Sequence, residues 1–294
     1  MYAQVIVRER RGTHPRLAAY KLRPMQVWDE EWSQYSPAAV RDVMAYYRRF
    51  PVIYPALRRH LPRDGEILEA GAGLGQWVAL LREAGFAARG IDSSQEALAR
   101  ARLVFPGLPF DAGDVLALPF ADGALAGYVS FGVAEHFEEG PQALLREAAR
   151  VLRDRGVMVI SVPWLSPLRR AQRLRPSAPP AGAVFYQYFF TRAEILAAVS
   201  AAGFDVIATD GYGTLKTLRD EWRELRGRAR AAPAPTSSAP ERSAAAGAAP
   251  ESRPTWLRVA HNALLENALL HRLAAHMLLI VARRRPRAVP ASPA

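Results

Sequence analysis

Three glycines at alternate positions, Gly71, Gly73 and Gly75, follow an acid, Glu69, at the end of a short apolar run. Glycine adopts positive φ without strain and, lacking a Cβ, allows a ligand to lie against backbone amides at the N-terminus of a helix. Apolar residues at helical spacing begin after Gly75, so the segment predicts a strand, a glycine loop and a helix. A loop of this composition is suited to ligand binding.

Two further acids follow predicted strands. Asp92 comes after a predicted strand over residues 87–91, and Asp114 comes after a predicted strand over residues 108–112. Ligands of open α/β sheets bind at the carboxyl ends of the strands, so both acids are expected beside the glycine loop. A carboxylate at Asp92 can accept hydrogen bonds from both hydroxyls of a ribose. Ser93 has capping-box spacing to Glu96, which predicts that the next helix begins there.

A fourth predicted strand, residues 128–133, leads into the segment GVAEHF. Phe131 and Gly132 are expected to line the ligand pocket, and His136 is expected to face the substrate side. The pKa of histidine suits proton abstraction near neutral pH, although a histidine after a strand also commonly holds a loop by hydrogen bonding. His136 is therefore a candidate general base with a structural alternative.

The glycine segment resembles motif I of the class I S-adenosylmethionine-dependent methyltransferases, whose pattern is E/D-x-G-x-G-x-G. The segment GVAEHF is similar to the GVxEH segment of small-molecule methyltransferases with type 11-like domains. The resemblance implies S-adenosyl-L-methionine as cofactor and methyl transfer to an oxygen, nitrogen or carbon nucleophile. The acid of motif I would lie near the methionyl part, Asp92 at the ribose, and Asp114 with Val115 at the adenine. The implied cofactor site comprises Glu69, Ala70, Gly71, Gly73, Gly75, Asp92, Ser93, Asp114, Val115, Phe131 and Gly132.

Two alternatives remain open. An NAD-type oxidoreductase uses a similar sheet, but its fingerprint places a third glycine where this chain has Gln76. A non-catalytic cofactor-binding protein would keep the loop and lack a substrate pocket. Detection of S-adenosylhomocysteine after incubation with candidate acceptors separates these functions.

Strand and helix patterns alternate along the chain and predict a doubly wound, mainly parallel seven-stranded α/β sheet of Rossmann-like type. Residues 1–66 are expected to form an N-terminal arm and a helical cap, with short helices broken at Pro37, Pro51 and Pro55. The remaining predicted parts are a methyltransferase core over 67–213, a helical insertion over 214–276 with a disordered linker at 231–254, and a last strand with a basic tail over 277–294. In the methyltransferase family that this chain resembles, the last strand of the sheet inserts antiparallel beside the fifth strand.

Composition narrows the function classes. The chain has no cysteine, which excludes disulfides and thiolate metal sites, and its 6 histidines do not cluster, so no metal is expected. Although the net charge is +11, residues 67–213 carry 13 basic and 15 acidic side chains, so no nucleic-acid partner is expected. A small-molecule acceptor is the expected partner.

Neither a signal peptide nor a membrane-spanning run is visible, so a cytoplasmic protein is predicted. Acceptor recognition is expected outside the core, in the helices at 29–54, an excursion at 164–175 and a helix at 255–276. In the excursion an apolar edge adjoins Arg169 and Arg170, a pattern that suits an anionic amphiphile, a phosphorylated sugar or peripheral contact with a membrane surface. The alternative is that these segments only pack on the core.

Overall fold

The computed structural model describes residues 4–11, 14–21, 32, 35–49, 52–172, 181–214, 217 and 268–287. Within these residues a seven-stranded sheet forms the centre of the molecule. Its strands lie in the order β5-β4-β3-β6-β7-β10-β9. Their bounds are β3 Glu66–Ala70, β4 Ala87–Asp92, β5 Phe110–Ala112, β6 Leu125–Phe131, β7 Leu152–Pro163, β9 Phe204–Tyr212 and β10 Met277–Arg284.

Helices cover both faces of this sheet. They are α1 Pro37–Arg48, α2 Ile53–His60, α3 Gln76–Glu83, α4 Gln95–Val104, α5 Gln142–Val151, α6 Pro167–Gln172, α7 Arg192–Ala201 and α8 Ala268–Ala274. Successive strand residues point to opposite faces, so a strand buried on both sides is apolar throughout. Met158 and Ile160 belong to one core cluster, whereas Val157 and Val159 belong to the other. The predicted doubly wound α/β sheet is confirmed.

Strand β10 is antiparallel to both of its neighbours, β7 and β9, and all other pairs in the sheet are parallel. Residues 278–282 of this strand are fully buried, which explains their uninterrupted apolar sequence. The predicted antiparallel insertion beside the fifth strand of the core is therefore present.

Two predicted helix boundaries were wrong. Pro55 does not break a helix but lies in the first turn of α2, where a missing N–H leaves no intrahelical bond unmade. Pro37 begins α1, so the helix boundary predicted at this residue is confirmed. The cap of α4 is Ser94, which accepts the N–H of Ala97, so the capping box expected at Ser93 is not formed.

A second, three-stranded antiparallel sheet was not predicted. It has the order β1-β2-β8, with β1 Gln4–Arg11, β2 His14–Lys21 and β8 Val184–Phe189. The N-terminal segment thus forms a hairpin in addition to the helical cap. Strand β8 follows the excursion after β7 and pairs with this hairpin. Ala18, Tyr20 and Tyr188 pack against the main core.

The predictions for the helical segment 214–230 and the disordered linker 231–254 lie outside the described residues, apart from Thr214 and Thr217. The predicted helix at 255–276 is described only from Ala268, as α8. In the described part of the chain, no helix has both the length and the apolar character that a membrane crossing requires.

Candidate functional site

The glycine loop joins the end of β3 to the start of α3, as predicted. Gly71, Gly73 and Gly75 have φ of +80°, +51° and +77°. A Cβ on Gly71 would lie 2.4 Å from a methyl of Val133, so the turn after β6 packs directly on the loop. A Cβ on Gly75 would meet the ring of Phe110 at the same distance. Positive φ and close packing inside the protein therefore both require glycine here.

The backbone amides of this loop are used within the protein. The N–H groups of Gly71 and Ala72 both donate to the carbonyl of Ile91, at 2.9 Å, and that of Gly75 donates to the carbonyl of Ala72. The N–H of Gly73 donates to Asp92 Oδ2 at 2.7 Å. Our expectation that a ligand would lie against free loop amides is thus wrong for these four groups. These four N–H groups are therefore not available to bind a diphosphate.

Glu69 lies at the end of β3 and is only 3% exposed. Its Oε2 accepts the backbone N–H of Val78 at 3.0 Å, which ties the first turn of α3 to the strand. Burial raises the pKa of this carboxyl well above its ordinary value, and the nearby charge of Asp92 adds to the shift. Glu69 thus stabilises the junction between the glycine loop and α3 from inside the protein.

Asp92 lies at the end of β4, next to the glycine loop. Its Oδ1 accepts the N–H of Ser94 at 2.8 Å, and its Oδ2 accepts the N–H of Gly73. An ionised carboxylate has about four lone-pair positions, so it can accept further hydrogen bonds from a ligand. The structure therefore places Asp92 where a ribose-binding acid was expected and shows that it also holds the loop.

Asp114 and Val115 follow β5, the neighbour of β4. Asp114 is exposed, and its Oδ1 accepts the N–H of Leu116 at 2.8 Å. Val115 is buried in the core. Ser93 is exposed beside Asp92. The structure thus brings Asp92, Ser93 and Asp114 to one edge of the sheet, on the same side of the glycine loop.

Aromatic residues form the opposite side of the loop. Trp77, at the start of α3, lies 5.2 Å from Phe131 at the end of β6, and Tyr47 of α1 stacks on Trp77 at 4.5 Å between ring centroids. Burial raises the pKa of Tyr47 to about 12, so its hydroxyl is neutral at physiological pH. The helical cap therefore reaches the carboxyl edge of the sheet through this aromatic stack.

His136 ends a 3₁₀ helix, Ala134–His136, that follows Gly132. Its Nδ1 lies 2.7 Å from the carbonyl oxygen of Tyr186 in β8, and its ring packs against the Tyr186 ring. A carbonyl only accepts hydrogen bonds, so Nδ1 carries the hydrogen. His136 thus links the turn after β6 to the small sheet, while its role as a base stays a prediction.

Sequence reasoning missed three polar residues at this edge. Glu135 is 2% exposed, and its Oε2 has no hydrogen-bond partner among the described residues. Tyr212, at the end of β9, donates to Ser161 Oγ of β7 at 2.9 Å. Glu135 stands within the GVAEHF segment, but its burial depends on contacts distant in sequence. Tyr212 and Ser161 carry no local signal of their own.

These donor and acceptor groups fit S-adenosyl-L-methionine better than a dinucleotide. Four loop amides are committed internally, which removes the usual partners of a diphosphate. The acids Asp92 and Asp114 instead provide acceptors for hydroxyl and amino groups. Within the described residues, no cluster of three or more histidine or acidic side chains is arranged to hold a metal ion.

Comparisons with known proteins agree with this geometry. Residues 68–160 match the family model described as a methyltransferase domain. A Mycolicibacterium smegmatis protein named "probable S-adenosylmethionine-dependent methyltransferase" is 30% identical over 169 residues, covering 56% of this chain and 62% of the relative. A Mycobacterium tuberculosis protein with the same description is 32% identical over 119 residues, covering 40% of this chain and 42% of the relative.

The fold is also shared with a solved structure. The S-adenosylmethionine-dependent methyltransferase from Mesorhizobium loti has a TM-score of 0.50 and 20% identity, with 78% of this chain and 96% of that chain covered. The strand order, the glycine loop with its acids and the match over residues 68–160 resemble those of class I S-adenosylmethionine-dependent methyltransferase domains. Over that region the chain is similar to the methyltransferase domain family. It spans 62% and 42% of the length of the two mycobacterial relatives.

Proposed function

We propose that the protein transfers a methyl group from S-adenosyl-L-methionine to an oxygen, nitrogen or carbon atom of a small-molecule acceptor. The observation that carries this proposal is the combination of internally bonded loop amides with the acids Asp92 and Asp114, which follow the neighbouring strands β4 and β5. The cofactor supplies an electrophilic methyl group on a positively charged sulfur. The protein's part is to hold that group and the acceptor in line and to exclude water.

The cofactor would be held by the residues that the sequence indicated: Glu69, Ala70, Gly71, Gly73, Gly75, Asp92, Ser93, Asp114, Val115, Phe131 and Gly132. Asp92 and Asp114 would receive its nucleoside part, because carboxylate oxygens at neighbouring strand ends can accept hydroxyl and amino hydrogens. Phe131 and Trp77 would form the wall beside the sulfur.

Calorimetry tests the cofactor assignment. We expect binding of S-adenosylhomocysteine and none of NAD. Asp92→Asn removes a charged acceptor, which costs about 1.5–3 kcal/mol of binding free energy. Asp205→Asn, on an exposed acid at the far end of β9, is the matched control and should bind as the parent does. Heat with NAD and none with S-adenosylhomocysteine contradicts the assignment.

One of the two arginines that the sequence suggested for binding an anionic acceptor is buried. Of the two arginines proposed for an anionic amphiphile, Arg169 is 3% exposed and donates to the carbonyls of Trp164 and His276. Arg170 is exposed and stays available. Membrane contact, a cytoplasmic location and the absence of a nucleic-acid partner stay predictions, for which liposome and nucleic-acid pull-downs and cell fractionation are the tests.

A further inference from the structure

The carboxyl edge of the main sheet divides into two halves at the glycine loop. On one side, Asp92 and Asp114 follow β4 and β5. On the other side, Glu135, Ser161 and Tyr212 lie at the ends of β6, β7 and β9. The first half has the acceptors that a nucleoside needs, so the second half is left for the methyl acceptor. Its most unusual member is Glu135.

Glu135 is a buried acid with one carboxyl oxygen that has no hydrogen-bond partner among the described residues. Its carboxyl accepts a hydrogen bond from its own backbone N–H, while Oε2 has no partner in the described part of the chain. Oε1 lies 3.5 Å from the position of a Cβ on Gly132 and 4.0 Å from Nε2 of His136. A buried acceptor without a partner destabilises a fold by about 1–3 kcal/mol. Such a group is retained where a ligand supplies the missing partner.

The titratable groups that face Glu135 are few. His136 follows it on the same 3₁₀ helix, and Tyr212 faces it from β9. Tyr212 is held by its hydrogen bond to Ser161, and burial raises its pKa, so its hydroxyl stays neutral. Nδ1 of His136 is engaged with Tyr186. Glu135 is the group of this trio with an unused oxygen.

We propose that Glu135 accepts the proton of the methyl acceptor through Oε2, so that the acceptor presents a hydroxyl or an amine to this half of the site. This inference rests on the proposed methyl transfer. The lone pair of the acceptor's oxygen or nitrogen forms a bond to the methyl carbon, and the methyl–sulfur bond breaks with its electron pair remaining on sulfur. The proton passes to Oε2 and then to solvent.

Burial supports this role because it raises the pKa of Glu135 to about 8. A general base is most effective when its pKa lies near the working pH. Since the carboxylate is the active form, the rate should rise as pH increases through about 8 and then level off. Glutamine at this position keeps the shape of the side chain and cannot accept the proton.

The test uses purified protein with S-adenosylmethionine labelled in the methyl group. Catechol, glycerol and ethanolamine are the protic probes, and trimethylamine and dimethyl sulfide are the aprotic probes. A small-molecule extract, separated by mass after reaction, is assayed in parallel. We expect label on protic acceptors, a loss of about 10²-fold or more in turnover for Glu135→Gln, and loss of its pH-dependent rise. Glu139→Gln, an exposed acid nearby, should match the parent.

Calorimetry with S-adenosylhomocysteine separates failure of this inference from failure of the proposed function. Unchanged affinity with parental turnover and pH profile in Glu135→Gln overturns the role of Glu135. The role of Glu135 is also overturned if label appears only on aprotic acceptors or on none of the protic acceptors. If the parent protein does not bind S-adenosylhomocysteine, the methyltransferase proposal itself is rejected. If Glu135→Gln does not fold, infrared titration of the parent decides, because a buried carboxylic acid band must disappear near pH 8.

Discussion

Gly71 and Gly107 have almost the same backbone conformation, with φ of +80° and +83°, but very different surroundings. A Cβ on Gly71 would lie 2.4 Å from Val133, whereas one on Gly107 would have nothing within 4 Å. Alanine at either site carries the strain of positive φ, about 1–2 kcal/mol. Only Gly71→Ala should add an overpacking cost of about 1–3 kcal/mol.

Urea unfolding of both variants measures this difference, and calorimetry with S-adenosylhomocysteine should show lost affinity for Gly71→Ala alone. Equal destabilisation of the two variants is the contrary result, since the contact with Val133 would then contribute nothing.

Individual residues of the candidate site were only partly predictable. The spacing of Glu69 and the glycines identified the loop, and the strand ends identified Asp92. The internal use of these groups could not be predicted, because the partners of Gly71 and Gly73 are Ile91 and Asp92, on a different strand. Glu135 was overlooked for the same reason, since nothing local indicates its burial.

At the scale of the elements, Arg169 joins α6 to the backbone just after β7 and just before β10. Arg169 donates to the carbonyls of Trp164 and His276, and its guanidinium lies 5.0 Å from the Phe189 ring centroid. Arg169→Ser leaves these buried carbonyls without a charged donor and should reduce the free energy of unfolding by about 3 kcal/mol.

Arg170→Ser is the control for this change, because Arg170 is the neighbouring exposed arginine. Its replacement should change the free energy of unfolding by no more than about 0.5 kcal/mol. Thermal and urea unfolding provide the measurement. If Arg169→Ser is as stable as the control, the buried arginine does not anchor α6.

Elements with a strong apolar pattern were the predictable ones. The strands from β3 to β7 and strand β10 follow from apolar runs, and Thr191 and Glu194 have the sequence spacing of the capping box that begins α7. The hairpin of β1 and β2 has no clear alternation of polar and apolar residues, and its pairing with β8 joins segments more than 160 residues apart. Such a pairing has no local signal.

For the molecule as a whole, buried acids make stability depend on pH. Burial raises the pKa of Glu135 to about 8, so the folded protein binds more protons than the unfolded chain between the ordinary pKa of 4.5 and about 8. This contribution is complete below the ordinary pKa and is lost as pH rises. Glu69 acts in the same direction. The lowered pKa of Glu147 affects stability only at more acidic pH.

Urea unfolding from about pH 5 to about pH 8 should therefore show Glu135→Gln gaining stability relative to the parent. The gain should be at most about 1.4 kcal/mol per pH unit and should level off above about pH 8. Glu139→Gln should follow the parent curve. A constant difference between Glu135→Gln and the parent across this range means that Glu135 does not titrate as a buried acid.

The position of β10 has a consequence for how the protein is made on the ribosome. This strand is translated after residues 213–276, yet it lies between β7 and β9 and bonds to both. Until it emerges from the exit tunnel, β7 and β9 each expose an unpaired apolar edge, which is a site for aggregation. The nascent chain must therefore wait for Met277–Arg284 before its sheet can close, and chaperones that shield apolar strands have their longest opportunity to act during that interval.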